Sequence, residues 1–205
     1  MAERHAADAR TELTILRGDA LELLDAHEVG PLDLVVTDPP YAFGGSGEEH
    51  ELSATVAVVL RETARRLKPG CWMVVMCAAS WRSTSYMVDA VRGIVQPVRI
   101  ARWNKPTART KARTTGWKWA GVNVIAFRKG TSNDYPDCPD LDHITAAPVT
   151  NGRRADLPPE VAEWMVRPFA VDGGMFLDPF AGSGVIVRAA SDCGMRAVGF
   201  ERQKD

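Results

Sequence analysis

Short apolar runs alternate along this chain with segments of helical periodicity, and this alternation limits the chain to one class of fold. Seven of the runs have the length and residue types of strands, and they are LTIL, LDLVV, CWMVVMCA, VRIARW, VNVIAF, GMFL and MRAVGF. Most segments between them repeat apolar residues every three or four positions, as amphipathic helices do. Strands that alternate with helices predict an α/β protein whose sheet is largely parallel.

The length of 205 residues predicts a single domain, residues 1–205. Residues 130–157 show neither period and are expected to form an irregular insertion. No window approaches the ~20 apolar residues of a membrane span, and the polar start lacks the apolar core of a signal peptide. Four histidines without a Cys/His cluster argue against a metal site. We therefore expect a cytoplasmic protein with no metal and no membrane contact.

The strand LDLVV runs into TDPPY, in which Asp38 and Tyr41 flank two prolines, Pro39 and Pro40. Prolines end strands because they cannot donate a hydrogen bond to the ladder. The segment is therefore predicted to be a stiff loop at the sheet edge that fixes one carboxylate and one aromatic ring. A turn-capping aspartate is the alternative interpretation of Asp38.

A second signal, FLDPFAGSG, places a buried strand, Asp178 and a glycine loop directly before a helix. Gly182, Ser183 and Gly184 would let a ligand approach the backbone, where the helix start offers free N–H groups. The next strand ends at Glu201, where an acid binds ribose hydroxyls in nucleotide-binding βαβ units. The alternative is a tight turn and a solvated glutamate, because short glycine motifs have many false matches.

Together the two motifs resemble those of the S-adenosylmethionine-dependent amino-methyltransferases that modify exocyclic amines of DNA bases. TDPPY is similar to the catalytic motif of that family, and LDPFAGSG is similar to its cofactor loop. The catalytic motif comes first, which is the order of the circularly permuted beta group. The resemblance extends from about Leu13 to Glu201. It implies a seven-stranded, mostly parallel, Rossmann-like sheet in permuted order, with one antiparallel edge strand.

The resemblance implies a chemical role for the TDPPY residues. The Asp38 carboxylate and the Pro39 carbonyl would accept hydrogen bonds from the amine, which draws electron density onto its nitrogen and orients it for attack. Pro39 and Pro40 would make the direction of that carbonyl reliable. Tyr41 would stack on the base after it is flipped out of the duplex. Methyl transfer would be a direct displacement without a covalent enzyme intermediate.

The resemblance also implies S-adenosylmethionine as the cofactor. The glycine loop would hold its methionine half, with Asp178 near the ammonium group and Phe180 packed beside it. Glu201 would bind the ribose hydroxyls. Asp19, at the end of the first strand, would lie near the adenine ring, although a solvated turn explains Asp19 nearly as well.

The charge pattern points to nucleic acid as the partner. No acidic residue lies between Asp89 and Asp134, an interval rich in arginine, lysine and tryptophan. Basic residues interleaved with aromatic ones suit a loop that follows phosphates while bases lie nearby. A solvated basic face is the alternative. The predicted nucleic-acid-binding element is the basic loop, residues 104–120, with Lys105, Arg109, Lys111, Arg113 and Lys118.

The chain departs from the family in two places. Many members carry a His-Pro-Thr-x-Lys-Pro-like segment before the helix that leads to the cofactor strand, whereas this chain has RRADLPPE. Arg153 or Arg154 could then hold the cofactor carboxylate. Members with defined recognition sites usually insert a target-recognition region, for which only residues 130–157 are available. Recognition would then fall to the basic loop, to a loose specificity, or to a second subunit in a homodimer or a separate specificity subunit.

These features predict a site-specific DNA methyltransferase of the restriction–modification kind that acts on double-stranded DNA. The aspartate before Pro-Pro favours adenine N6 over cytosine N4 as the target. An RNA or nucleotide N-methyltransferase is the first alternative, because it would share every catalytic residue. A non-catalytic nucleic-acid-binding subunit is the second, and the intact motifs argue against it.

Overall fold

The computed structural model describes residues 13–27, 29–40, 47–106, 120–131, 136, 138–151 and 154–202. The strands of its main sheet are β1 (Leu13–Arg17), β2 (Leu32–Thr37), β3 (Leu67–Ala78), β4 (Gln96–Asn104), β5 (Gly121–Arg128), β6 (His143–Thr145), β9 (Met175–Asp178) and β10 (Arg196–Glu201). A small hairpin pairs β7 (Val149–Asn151) with β8 (Arg154–Asp156). The helices are α1 (Ala20–Ala26), α2 (Gly47–Arg66), α3 (Trp81–Ala90), α4 (Pro159–Val166) and α5 (Val185–Asp192), and a 3-10 turn covers Arg167–Phe169.

The strand order across the sheet is β1-β10-β9-β2-β3-β5-β4-β6. Its pairs are parallel except for those that β5 makes with β3 and β4. β9 and β10 come late in the chain but lie between β1 and β2, which is the permuted order that the resemblance implies. The prediction of a mostly parallel, permuted, Rossmann-like sheet is confirmed, and all seven predicted strands are present.

Two details differ from the prediction. The antiparallel strand, β5, lies inside the sheet between β3 and β4 rather than at an edge. The edge belongs to an eighth strand, β6, which pairs with residues 102–104 of β4. β6 lies in segment 130–157, which was expected to be irregular. A strand of three residues is too short to show the alternation by which strands are recognised in a sequence.

The helix ends follow ordinary capping chemistry. Asp19 and Ser80 precede α1 and α3, and each side chain accepts hydrogen bonds from backbone N–H groups of the first turn. α4 begins with Pro159, at a position whose N–H group has no partner within a helix. Gly184 precedes α5 in the left-handed conformation, with φ 79°. No helix in the described stretches combines the length and the apolar character needed to cross a membrane.

Helices cover both faces of the sheet. α1, α2 and α3 pack on one face, around Met73 and Phe127, and α4 and α5 pack on the other, around Phe176 and Val187. β1, β10, β9 and β2 are parallel neighbours, so their last residues meet at one edge of the sheet, which we call the carboxyl edge. Open α/β sheets bind ligands outside this edge, so the loops that follow these strands are where a site is expected.

Candidate active site

A cleft of about 460 Å³ opens at the carboxyl edge, between the loops that follow β1, β2, β9 and β10. α2 contributes Thr55, Val56 and Val59 to its wall, and the chain after β8 contributes Asp156 and Leu157. The cleft brings together residues that were predicted from separate motifs, namely Asp19, Asp38, Pro40, Phe180, Gly182, Ser183 and Glu201. The predicted catalytic and cofactor motifs therefore face one cavity.

Asp38 stands directly after β2, half-buried in the wall of the cleft. Pro39 is buried and Pro40 is exposed, so the loop is anchored on one side and open to the cleft on the other. The strand ends here because the prolines have no N–H group to donate. Tyr41, the predicted stacking residue, lies outside the described residues.

Lys105 lies close to this loop although it was predicted as a phosphate contact. Its Nζ sits 4.4 Å from the centroid of the Trp103 ring, within the range of a cation–π interaction. Burial lowers the pKa of Lys105, and the negative charge of Asp38 acts in the opposite direction. Its ammonium group is therefore half-buried and electrostatically linked to Asp38. The other predicted loop residues lie outside the described residues, and they are Arg109, Lys111, Arg113 and Lys118.

The glycine loop is tied to the end of β10. Oε2 of Glu201 accepts a hydrogen bond of 2.8 Å from the backbone N–H of Gly182. The carbonyl of Phe200 accepts one from Ala181, also 2.8 Å. The φ angle of Gly184 is positive, a conformation that residues with a side chain rarely adopt. A Cβ at this position would also stand 2.5 Å from Cδ1 of Ile15, so the position requires glycine. Glu201 thus fastens the loop while its carboxylate lines the cleft.

Asp178 is fully buried beneath the loop rather than on the cleft wall. Its Oδ1 accepts hydrogen bonds from Oγ1 of Thr37, at 2.6 Å, and from the N–H of Phe180, at 3.0 Å. Its Oδ2 has no partner among the described residues. Burial raises the pKa of Asp178 to about 7, and the charges of Asp38 and Glu201 act in the same direction. A buried carboxyl group with an unused oxygen can accept a donor from a ligand.

Asp19 has a structural role in addition to its place in the cleft. Its Oδ1 caps α1 by accepting hydrogen bonds from the N–H groups of Leu21, at 2.9 Å, and Glu22, at 3.4 Å.

Arg153 lies outside the described residues, and the side chain of Arg154 is not described. In the part of the chain that the structure covers, no cluster of three His, Cys, Asp or Glu side chains could hold a metal ion.

Two polar residues of the site were not named from the sequence. Thr37 is buried and is the hydrogen-bond partner of Asp178, and Asp156 lines the cleft beside Leu157. Thr37 could have been named from the sequence, because it is a polar residue at the end of an apolar strand, directly before the aspartate of TDPPY. Asp156 had no signal, because it follows a three-residue strand in a segment without periodicity.

Residues 109–205 match a protein-family model for N6/N4 methyltransferases that is described as DNA methylase. None of the curated proteins compared with the sequence matches it. Among solved structures, TTHA0409 of Thermus thermophilus is a candidate DNA modification methylase. It superposes with a TM-score of 0.72 at 26% sequence identity, over 93% of this chain and 89% of that protein. TTHA0409 has also been solved in complex with S-adenosyl-L-methionine.

Two further structures share the fold at 20% identity. M1.HpyAVI, solved in complex with SAM, has a TM-score of 0.74 over 93% of this chain and 92% of that protein. The PvuII DNA methyltransferase, which is cytosine-N4-specific, has a TM-score of 0.73 over 95% of this chain and 84% of that protein. These two similarities support the fold and do not distinguish one target base from another.

Proposed function

We propose that this chain, which has the fold and both motifs of the S-adenosylmethionine-dependent DNA amino-methyltransferases, methylates the exocyclic amine of a base flipped out of duplex DNA. The resemblance stated from the motifs is confirmed by the family model and by the solved structures. The cofactor of this class is S-adenosylmethionine. The observation that carries the proposal is that Asp38, the glycine loop at Gly182 and Ser183, and Glu201 line one cleft.

The residues of the cleft fit this cofactor. The volume of about 460 Å³ lies within the range of about 300–1,000 Å³ for small-molecule sites. Asp178 lies beneath the loop and not on the cleft wall, so its Oδ2, which has no partner within the described chain, would accept from the ammonium group of the methionine half once the loop admits that group. Glu201 accepts one bond from Gly182, and a carboxylate has about four lone-pair sites, so it can also accept from ribose hydroxyls. When bound, the cofactor supplies an electrophilic methyl group on a sulfonium centre.

The Asp38 loop would activate the amine of the base. The lone pair of an exocyclic amine is delocalised into the ring, so the amine is a poor nucleophile until acceptors bind its hydrogens. Asp38 and the carbonyl of Pro39 are those acceptors, on a backbone that the prolines hold rigid. The positive charge of the half-buried Lys105 and the negative charge of Asp38 attract each other, which raises the pKa of Lys105 and opposes the effect of its burial. Tyr41 would stack on the flipped base.

We propose adenine N6 rather than cytosine N4 as the target, on the single ground that an aspartate precedes Pro-Pro. The PvuII enzyme, which shares the fold, is cytosine-N4-specific, so both products have to be measured. Nucleoside analysis of methylated duplex DNA separates N6-methyladenine from N4-methylcytosine. RNA of the same sequence, offered in parallel, tests the alternative substrate.

The catalytic assignment is tested with Asp38→Ala and Asp38→Asn. Loss of one preorganised electrostatic partner lowers kcat by about 10²–10³-fold, so both variants should lose turnover by this amount. Affinity for S-adenosylmethionine should change little, because Asp38 acts on the amine and not on the cofactor. Asp25→Ala is the matched control, since that carboxylate is 85% exposed on α1. A wild-type rate for Asp38→Ala would remove Asp38 from the mechanism, and a wild type that methylates no DNA would overturn the proposed function.

A further inference from the structure

Trp81 is a large aromatic side chain left almost entirely in water. It is 84% exposed, which makes it the most exposed of the large apolar side chains in the described part of the chain. An indole ring in this position loses hydrophobic free energy that burial would provide, so an isolated tryptophan at a functional edge is a candidate contact for a partner. Arg82, the next residue, is also exposed.

The strand register places Trp81 at the carboxyl edge, beside the active site. Thr37 pairs with Val75 in the parallel β2–β3 ladder, so Ala78 at the end of β3 is level with the prolines that follow Asp38. Trp81 follows Ala78 by three residues and begins α3. Adjacent strands are about 4.8 Å apart, so the start of α3 and the Asp38 loop are neighbours on one rim.

The same register places Trp81 next to the basic loop. Ala78 pairs with Val122 in the antiparallel β3–β5 ladder, and the basic loop ends at residue 120, two residues before Val122. The other end of the loop follows β4, whose last residue, Asn104, pairs with Gly121. Trp81 therefore stands at the base of the basic loop.

The start of α3 is held rigidly. Oγ of Ser80 accepts a hydrogen bond of 3.1 Å from the N–H of Ser83. Oγ1 of Thr84 donates to the carbonyl of Ser80, at 2.9 Å, and accepts from Nδ2 of Asn123 on β5, at 3.1 Å. These bonds join the first turn of α3 to the strand that follows the basic loop. Trp81 is consequently presented from a fixed backbone, although its ring is in solvent.

The charge of the neighbouring basic loop indicates the kind of partner. Residues 104–120 contain five lysines and arginines and no aspartate or glutamate. Trp81 and Arg82 follow β3 at the end of the sheet where this loop begins and ends. A polyanion with flat aromatic groups matches an exposed indole among cations.

We propose that Trp81 and Arg82 form a nucleic-acid contact on the rim of the active site, in which the indole stacks on a DNA base and the guanidinium binds a phosphate. The proposal deepens the proposed function and rests on it for the identity of the substrate. A base adjacent to the flipped one becomes unstacked when its neighbour leaves the helix, and an aromatic wedge from the protein can replace the lost stacking. The catalytic domain thereby supplies a contact that a target-recognition region would otherwise provide.

The test compares Trp81→Ala, Trp81→Phe and Val171→Ala with the wild type. Val171 is the control, because it is 46% exposed and precedes β9, at the opposite edge of the sheet. DNA affinity is measured by fluorescence anisotropy with labelled random-sequence duplexes, beside methylation rate, S-adenosylmethionine affinity and melting temperature. Loss of one stacked base corresponds to a drop of about 5- to 150-fold in affinity.

Trp81→Ala should bind DNA more weakly by this factor, with unchanged cofactor affinity and melting temperature. Trp81→Phe should recover much of the loss, and Val171→Ala should match the wild type. The proposal would be overturned if Trp81→Ala bound and methylated DNA as the wild type does. It would also be overturned if Trp81→Ala changed the oligomeric state of the protein and left its DNA affinity unchanged. If the wild type methylates no DNA while Trp81→Ala still loses DNA affinity, the proposed function fails and the contact stands.

Discussion

The Asp178 carboxyl group is removed from water by the fold, so its protonation state depends on what binds beside it. Burial raises its pKa to about 7, and the hydrogen bonds from Thr37 and Phe180 only partly offset this. An ammonium group at Oδ2 would favour the ionised form and lower the pKa again. Binding of the cofactor would then release a proton in the pH range below about 7.

We therefore expect affinity for S-adenosylmethionine to increase as the pH rises towards about 7 and to level off above it. The limiting slope is about tenfold per pH unit, because one proton is released per ligand bound. Asp178→Asn should bind the cofactor more weakly and lose this slope. Calorimetry in buffers of different ionisation enthalpy counts the protons released, and a wild-type affinity independent of pH would contradict the proposed contact.

Stability of the free protein should depend on the same group with the opposite sign. Between an unfolded pKa of 3.8 and the folded value of about 7, the folded state retains a proton that the unfolded state has lost. The free energy of unfolding therefore falls as the pH rises through this window. Above pH 7 Asp178→Asn should melt at a higher temperature than the wild type, while it binds the cofactor less well.

At the scale of elements, the glycine loop depends on a close approach between β10 and α5. A Cβ at Gly199 would stand 2.6 Å from Cγ2 of Val187 and 2.7 Å from Cβ of Ala181. Neither neighbour is the end of a long flexible side chain, so the loop would have to shift. Gly199 was not named from the sequence, where it is one glycine within an ordinary apolar strand.

Gly199→Ala should destabilise the fold by about 1–3 kcal/mol, the usual cost of overpacking. It should also weaken cofactor binding, because Ala181 precedes the glycine whose N–H is bound by Glu201. Gly93→Ala is the control, since Gly93 has a φ of 79° but open space around it. That variant should lose about 1–2 kcal/mol through backbone strain alone and keep its cofactor affinity. Equal cofactor affinities in the two variants would contradict the role of this packing.

The elements that the sequence predicted are those with strong local signals. Seven strands and the shared position of the two motifs follow from periodicity and chain order, whereas the capping of α1 by Asp19 was not predicted. The strand β6 and the position of β5 within the sheet could not be predicted. Both depend on which strands become neighbours in the assembled sheet, and this is not encoded in the local sequence. The burial of Asp178 and the position of Lys105 beside Asp38 likewise depend on tertiary packing, which a motif does not describe.

At the scale of the whole molecule, opposite charges are separated along the chain. The net charge is −1, yet residues 63–133 hold most of the cationic excess and the rest of the chain is acidic. A local excess of cations can attract a polyanion without making the protein basic as a whole. The basic loop predicted as the nucleic-acid contact lies inside this interval.

DNA affinity should accordingly fall steeply with salt, with a log–log slope of about −0.9 for each phosphate bound. Lys111→Ala or Arg109→Ala should reduce the magnitude of the slope by about one unit and weaken all sequences alike. Arg188→Ala, on the exposed side of α5 and outside residues 63–133, is the control and should leave the slope unchanged. An affinity that does not respond to salt would favour a small-molecule substrate instead.

β1 pairs with β10, so β1 has this neighbour only when residues 196–201 have been synthesised. β2, β3, β5 and β4 are neighbours made earlier, and they can assemble while translation continues. β9 and β10 must then insert between β1 and β2, a step with high contact order that is expected to be slow. A nascent chain consequently carries the TDPPY loop before it carries the proposed cofactor loop. Methyl transfer would therefore become possible only after β9 and β10 have been made, because these strands carry Asp178 and Glu201 and flank the glycine loop.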